Sequence, residues 1–212
     1  MAFRILRFIA VAALFAGFGS PVLAHPHVLV TGKSELVFKD GSVTAVRHIW
    51  TFDEMFSAFA TQGLDKNNDG LLSREELAEL AQINVESLKE FEYFTVGKSG
   101  PGTLTFAEPV DYWLEHKDKL LTLHFTLPVK TGGQKSGMSL DVFDPTYFVA
   151  FALADDSPIK LVGAPSNCSF EVKRPPAGAG PGQTQTESFF NSLNAASEYG
   201  SQFANRVIVT CK

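Results

Sequence analysis

Between residues 65 and 76, oxygen-bearing residues recur at alternate positions and a glutamate occupies the twelfth position. Gly70, at the sixth position, allows the sharp turn that such a segment needs. This spacing fits the calcium loop of an EF-hand, in which side-chain and main-chain oxygens surround the ion. The predicted ligands are Asp65, Asn67, Asp69, Leu71 through its carbonyl, Ser73 and Glu76. The alternative is a solvated acidic loop that matches this pattern by chance.

The segments on both sides of this loop have helical periodicity. Apolar residues recur at helical spacing from Met55 to Leu64, and the pattern resumes after the loop. Thr51 and Glu54 form a capping box, which predicts where the first helix begins. We therefore expect a helix–loop–helix insertion over about residues 52–84.

The first 24 residues have the pattern of a cleaved export signal. Arg4 and Arg7 precede an apolar run over residues 8–18, and residues 22–24 end in a small side chain, as cleavage sites do. The run is shorter than the ~20 residues of a spanning helix, so we expect cleavage before His25 and no membrane span afterwards. After cleavage, 16 of the 18 basic residues remain, against 23 acidic residues. The resulting net charge of −7 excludes nucleic acid as a partner.

Cleavage after Ala24 would place two histidines at the mature N-terminus, in the order His25-Pro26-His27. The free amine and both imidazoles then supply three nitrogen donors, which suit Zn²⁺, Ni²⁺, Co²⁺ or Cu²⁺ rather than Ca²⁺. Pro26 has no amide N–H, so a square-planar site built on deprotonated amides cannot form and a further ligand is needed. The alternative is an ordinary N-terminus with two solvated histidines.

The predicted hairpin register indicates where that further ligand comes from. Asp40-Gly41 is a strong two-residue turn signal between two strand patterns. The register that it sets, extended along the hairpin, places His27 opposite Glu54. We therefore expect a transition-metal site formed by His25, His27 and Glu54.

Two further histidines lie within strand patterns. His48 is expected as a half-buried strand residue beside Trp50 rather than as a ligand. His124 shares a strand face with Thr122 and Thr126, which favours a surface histidine, with a long-range metal ligand as the alternative.

The chain has two cysteines, Cys168 and Cys211, and both lie in the mature part. In an exported protein such a pair is typical of one disulfide, which here would hold the last strand to an earlier one. Two buried free thiols are the alternative. A catalytic redox pair is disfavoured because there is no Cys-x-x-Cys motif.

Short strand patterns dominate residues 25–212, which we expect to form a single domain. The predicted fold class is α+β, mainly β: an antiparallel β-sandwich with the inserted helix–calcium loop–helix. Residues 174–186 are rich in Pro, Gly and Gln and indicate a loop. A helix over about residues 187–203 and a strand over Arg206–Cys211 are expected to complete the chain.

Four segments of the chain carry a resemblance to a known family: His25-Pro26-His27-Val28, residues 50–57, the 65–76 loop and residues 144–148. Together they resemble an exported bacterial family of unknown function that is labelled the periplasmic component of an uncharacterised ABC-type transport system. The resemblance implies a periplasmic location, a membrane transporter component as partner, and a role in nickel, cobalt or zinc uptake. It implies no catalytic residues.

No nucleophile elbow, zinc-protease motif or phosphate loop occurs in the sequence, so we expect no enzyme activity. The expected function is that of a periplasmic calcium-binding accessory protein of a transport system that handles Ni²⁺, Co²⁺ or Zn²⁺. One alternative is a structural, calcium-stabilised interaction module without a transition metal. Another is a copper-dependent oxidase that chelates copper through the amine and ring of His25.

Overall fold

The computed structural model describes residues 26–131, 137–175 and 199–212, which form a mainly β protein with two sheets. The first sheet contains β1 (Val28–Lys39), β2 (Ser42–Phe52), β5 (Thr105–Phe106), β6 (Val110–Lys117), β7 (Leu120–Thr131), β9 (Val149–Leu153) and β10 (Ile159–Val162). The second contains β3 (Thr95–Ser99), β4 (Gly102–Thr103), β8 (Met138–Val142), β11 (Cys168–Lys173) and β12 (Asn205–Cys211). The helical elements are α1 (Glu54–Ala60), α2 (Ala78–Leu88) and the 3₁₀ segments Lys89–Phe94 and Tyr199–Phe203.

Three long strands form the centre of the first sheet, because β2 pairs antiparallel with both β1 and β7. On its other edge β1 pairs in parallel with β9 over its first half and with β10 over its second half. The mainly β prediction is therefore confirmed, and the expected antiparallel β-sandwich holds in part, because β1 pairs in parallel with β9 and β10. Parallel pairing becomes possible here because the chain passes through the second sheet before it returns to β1.

The hairpin of β1 and β2 turns where the sequence predicts, with Lys39 opposite Ser42. A β-bulge beside Val37 then shifts the register, because Thr44 has no opposing residue of its own. Thr31 consequently lies opposite Thr51, whereas a regular hairpin would place it opposite residue 50.

The inner face of the first sheet packs against two different partners along its length. At one end, the sandwich half, apolar residues of the first sheet meet those of β8 and β12: Leu36, Phe38, Val43, Val46, Met138, Leu140, Val207 and Val209. At the other end, the insertion half, they meet the helical segment 53–94: Val30, Trp50, Phe52, Leu121, Leu123, Phe125, Leu77, Ala81 and Val85. One continuous sheet therefore supports two hydrophobic cores.

The 3₁₀ segment that leaves α2 was not expected from the sequence, and neither was β3. Three consecutive residues, Glu92, Tyr93 and Phe94, have positive φ angles of 50°, 58° and 49°. This left-handed turn buries the rings of Tyr93 and Phe94 and delivers the chain into β3. Burial of two aromatic side chains compensates a backbone conformation that L-residues disfavour.

The C-terminal strand is attached to β11 by a disulfide between Cys168 and Cys211, as predicted. The two cysteines lie directly opposite each other in the β11–β12 ladder. Most of the expected C-terminal helix lies outside the described residues, and Tyr199–Phe203 is a 3₁₀ helix. Among the described residues, no helix is long and apolar enough to cross a membrane.

Candidate functional site

The first helix of the insertion is fixed to the sheet by one aspartate. Asp53 caps α1, because its Oδ1 accepts the N–H of Phe56 at 2.9 Å. Its Oδ2 accepts the N–H of Leu29 at 2.8 Å, which holds the helix against the start of β1. The predicted capping box of Thr51 and Glu54 is therefore wrong: β2 runs through Thr51 to Phe52, so the cap falls two residues later.

A buried serine provides the second attachment of α1. Ser57 is fully buried, and its hydroxyl donates to the carbonyl of Asp53 at 2.7 Å. The same Oγ accepts the N–H of Leu121 in β7 at 2.9 Å. The helix that leads into the 65–76 loop is therefore hydrogen-bonded to two strands of the first sheet, β1 and β7.

Within the loop, side-chain oxygens turn inward and accept main-chain N–H groups. Asp65 accepts the N–H of Asp69 at 3.2 Å and that of Gly70 at 3.0 Å. Asn67 accepts the N–H of Asp69 at 2.8 Å, and Asp69 accepts that of Leu71 at 2.8 Å. Gly70 has φ +80°, the left-handed conformation that the glycine pattern predicts.

Glu76 closes the loop by joining its beginning to its end. Oε1 accepts the N–H of Lys66 at 2.9 Å, while Oε2 accepts both the N–H of Ser73 at 2.9 Å and its hydroxyl at 2.8 Å. These hydrogen bonds, led by the one from the Ser73 main chain, lower the pKa of Glu76 to about 2. The carboxylate is therefore ionised at every physiological pH, as a metal ligand must be.

The loop assembles oxygen donors of the kinds that a calcium ion uses: three carboxylates, an amide oxygen and a serine hydroxyl. In the described ranges, no three His, Cys, Asp or Glu side chains form a metal-binding group. Calcium loops also use the oxygens of Asn, Ser and the main chain as ligands. The absence of a group of three His, Cys, Asp or Glu side chains in the described ranges therefore concerns only part of the ligand set. Binding an ion would require the carboxylates of Asp65, Asp69 and Glu76 to converge further.

Two of the three residues of the expected transition-metal site, His27 and Glu54, lie within the described part of the chain. His25 lies outside the described residues. The N–H of His27 donates to the carbonyl of Phe148 at 2.9 Å, and the two rings are 4.8 Å apart. Glu54 forms an ion pair of 3.3 Å with Lys119 at the β6–β7 turn. The β1–β2 ladder ends at Val30 and so does not pair His27 with Glu54 as the uninterrupted register would.

His48 is fully buried, not half-buried as expected, and it joins the two sheets. Its Nδ1 lies 3.0 Å from Ser34 Oγ in β1, and its Nε2 lies 3.2 Å from Thr95 Oγ1 in β3. The Thr95 hydroxyl donates to the carbonyl of Tyr93, so Nε2 must carry the proton that Thr95 accepts. Burial lowers the pKa of His48 to about 3, which keeps the ring neutral and makes it a structural residue.

On the outer face of the first sheet, three planar groups form a stack that sequence reasoning missed. The rings of Trp113 and His124 are parallel, with centroids 3.8 Å apart. The guanidinium of Arg74, a residue of the 65–76 loop, lies 4.0 Å from the centroid of the Trp113 ring. His124 Nε2 is 3.6 Å from Glu115, too far for a hydrogen bond, and burial is the main cause that lowers the His124 pKa. His124 is therefore half-buried in a stack rather than a plain surface histidine.

The turn between β6 and β7 could have indicated this stack. Lys117 lies opposite Leu120, so a two-residue turn sets a register that places Trp113 opposite His124. Arg74 could not be predicted in the same way, since it comes from a different part of the chain.

Comparison with known sequences supports a family assignment. Residues 10–211 match the family described as "Protein of unknown function (DUF1007)". The chain belongs to the DUF1007 family. An uncharacterised protein of Haemophilus influenzae is 24% identical to it over 206 residues, which cover 94% of this chain and 96% of the relative.

The expected membership in a family of unknown function is thereby confirmed. The DUF1007 description carries no statement about transport or metals, so function must be argued from the chemistry of the site.

Proposed function

We propose that this DUF1007 protein is an exported calcium-binding protein in which the 65–76 loop holds one ion. The observation that carries the proposal is the position of Glu76, whose two oxygens bridge the N–H of Lys66 and the N–H and hydroxyl of Ser73. A carboxylate at the twelfth position that spans both ends of the loop is placed to bind calcium with both oxygens.

The charge of the insertion supports the same proposal. Residues 53–92 contain 10 acidic and 3 basic side chains. Mutual repulsion among these carboxylates opposes compact packing of the loop, and a divalent cation removes that repulsion. The ion would therefore stabilise the helical insertion against the first sheet.

The export signal and the family resemblance support a periplasmic location and a role beside a membrane transporter. In this proposal His25 and His27, with Glu54 or another acidic residue, bind Ni²⁺, Co²⁺ or Zn²⁺ for delivery to the transporter. The ion pair of Glu54 with Lys119 is solvent-exposed on both sides. Exposed pairs of this kind contribute only ~0–1 kcal/mol, so Glu54 remains available as a ligand.

Calorimetric titration of the mature protein with Ca²⁺ tests the calcium proposal. We expect one ion per chain with a dissociation constant of about 10⁻⁵–10⁻³ M, the range of single loops outside the cytosol. Glu76→Gln should abolish binding, while Glu75→Gln, the same charge change at the neighbouring residue, should leave it within about threefold. Equal binding by both variants would contradict the assignment.

Titration with Zn²⁺ and Ni²⁺ tests the transition-metal part separately. The mature protein must carry its processed N-terminus, because the amine of His25 is one of the proposed donors. The His25→Ala/His27→Ala double variant should lose this binding and keep calcium binding. Identical Zn²⁺ and Ni²⁺ curves for both proteins would leave a calcium-stabilised module, and copper binding with oxidant consumption would favour the oxidase.

A further inference from the structure

The 65–76 loop contacts the outer face of the first sheet through the cationic side chain of Arg74. Arg74 lies between the expected ligands Ser73 and Glu76 in the chain, and its guanidinium covers one face of the Trp113 ring. The opposite face of Trp113 is covered by His124 of β7. A planar guanidinium on an aromatic face is a directional contact that depends on the orientation of the loop.

The strand that carries Trp113 is suited to respond to such a contact. Among the described strands, β6 pairs only with β7, so it lies at the edge of the first sheet. A β-bulge between Val110 and Trp113 interrupts its ladder with β7. Edge strands with bulges have fewer main-chain bonds to hold them, and side-chain contacts therefore contribute more to their position.

Trp113 and His124 also line a groove of about 250 Å³ on the outer face of the sheet. Its other side is formed by Glu35 and Arg47, which are joined by an ion pair of 3.2 Å. The stack with Arg74 therefore connects the 65–76 loop to a concave surface that offers hydrogen-bond donors and acceptors.

We propose that Arg74 couples ion binding in the 65–76 loop to the Trp113–His124 wall of this groove. The inference rests on the calcium proposal and adds a regulatory role to the same loop. When Glu76 and Ser73 close on an ion, the main chain between them moves, and the guanidinium changes its placement on Trp113. The groove wall then differs between the ion-bound and ion-free states. Because coupling is reciprocal, loss of the stack also changes the affinity of the loop for calcium.

The indole N–H resonances provide a direct test, because the chain has two tryptophans. One signal arises from Trp50 in the core and the other from Trp113, and loss of a signal in Trp113→Phe assigns them. In the wild-type protein we expect the Trp113 resonance to shift during a Ca²⁺ titration, with the midpoint found by calorimetry. Arg74→Lys keeps the charge but removes the planar group, and it should reduce that shift to less than half.

A second variant, Trp113→Leu, controls for effects of a substitution inside the charged loop. Trp113→Leu alters no charge and lies outside the loop, and we expect it to change the calcium dissociation constant by about two- to fivefold, the size of an exposed cation–π contact. The coupling is overturned if calcium binds with unchanged affinity in Trp113→Leu, or if the Trp113 resonance of Arg74→Lys follows calcium as fully as the wild type does. Absence of calorimetric binding in the wild-type protein would instead overturn the calcium proposal itself.

Discussion

The two halves of the first sheet pack against partners of opposite character. The sandwich half meets a second sheet, and the meeting face is a continuous apolar core that a disulfide closes at its margin. The insertion half meets two short helices and a loop rich in carboxylates. Residues 53–92 carry 10 acidic and 3 basic side chains, whereas the rest of 25–212 carries 13 of each.

All of the net charge of residues 25–212 therefore resides in the insertion. The sandwich half can be stable through burial of apolar surface alone. The insertion half also buries apolar side chains, but it does so beneath a loop whose carboxylates repel one another. Under the calcium proposal, we therefore expect the stability of the sandwich half to be independent of cations and that of the insertion half to depend on them.

The largest effect that we expect concerns the disulfide of the sandwich half. Replacing both cysteines, Cys168→Ser/Cys211→Ser, should lower the free energy of unfolding by about 3–4 kcal/mol, since the bond closes a loop of 43 residues. Chemical denaturation in the presence of chelator measures this. The same loss of unfolding free energy should appear with calcium present. If calcium instead reversed this loss of stability, the independence of the two halves would be contradicted.

A matched pair of core substitutions compares the halves directly. Leu140 of β8 and Leu77 beside α2 are both 1% exposed. Leu140→Ala and Leu77→Ala should each lower the free energy of unfolding by about 3 kcal/mol with calcium present. In chelator, Leu140→Ala should keep its full effect, while the effect of Leu77→Ala should fall well below half because the insertion is already loosened. Equal effects of Leu77→Ala in both conditions would show that the insertion packs without an ion.

The smallest effect comes from the histidine that joins the two sheets. The pKa of His48 is about 3 in the folded protein against 6.5 in the unfolded chain, so protonation favours unfolding. The stabilisation is complete above pH 6.5 and declines as the pH falls towards 3. Between pH 6.5 and 5.5 the wild-type protein should lose about 1 kcal/mol more stability than His48→Gln. Parallel pH profiles of the two proteins in chelator would refute this role.

The features that follow local rules could be predicted from the sequence. The turn at Asp40-Gly41 and the conformation of Gly70 depend on residue type and short spacing. The disulfide partners could be predicted because the chain has two cysteines. The β-bulge beside Val37 could not be predicted, because the residues there have no distinctive type and the shift depends on packing across the sheet.

Long-range packing also decided the features that sequence reasoning missed. The left-handed turn at Glu92–Phe94 is formed by residues that rarely adopt positive φ, so local propensity favours a different structure. His48 has the pattern of a half-buried strand residue, and only the second sheet, through Thr95, completes its burial. The stack of Arg74 on Trp113 joins two segments that are distant in sequence.

Hydrogen exchange of the mature protein, followed by mass spectrometry with and without Ca²⁺, tests the central claim most directly. The claim is that an ion in the 65–76 loop fixes the helical insertion on a sheet that is otherwise stable. Calcium should slow exchange in peptides from residues 53–94 and leave peptides from β8 and β12 unchanged. Glu76→Gln should exchange like the ion-free protein under both conditions, with Glu75→Gln as the matched control. Unchanged exchange in residues 53–94 at millimolar calcium, or equal slowing throughout the chain, would contradict it.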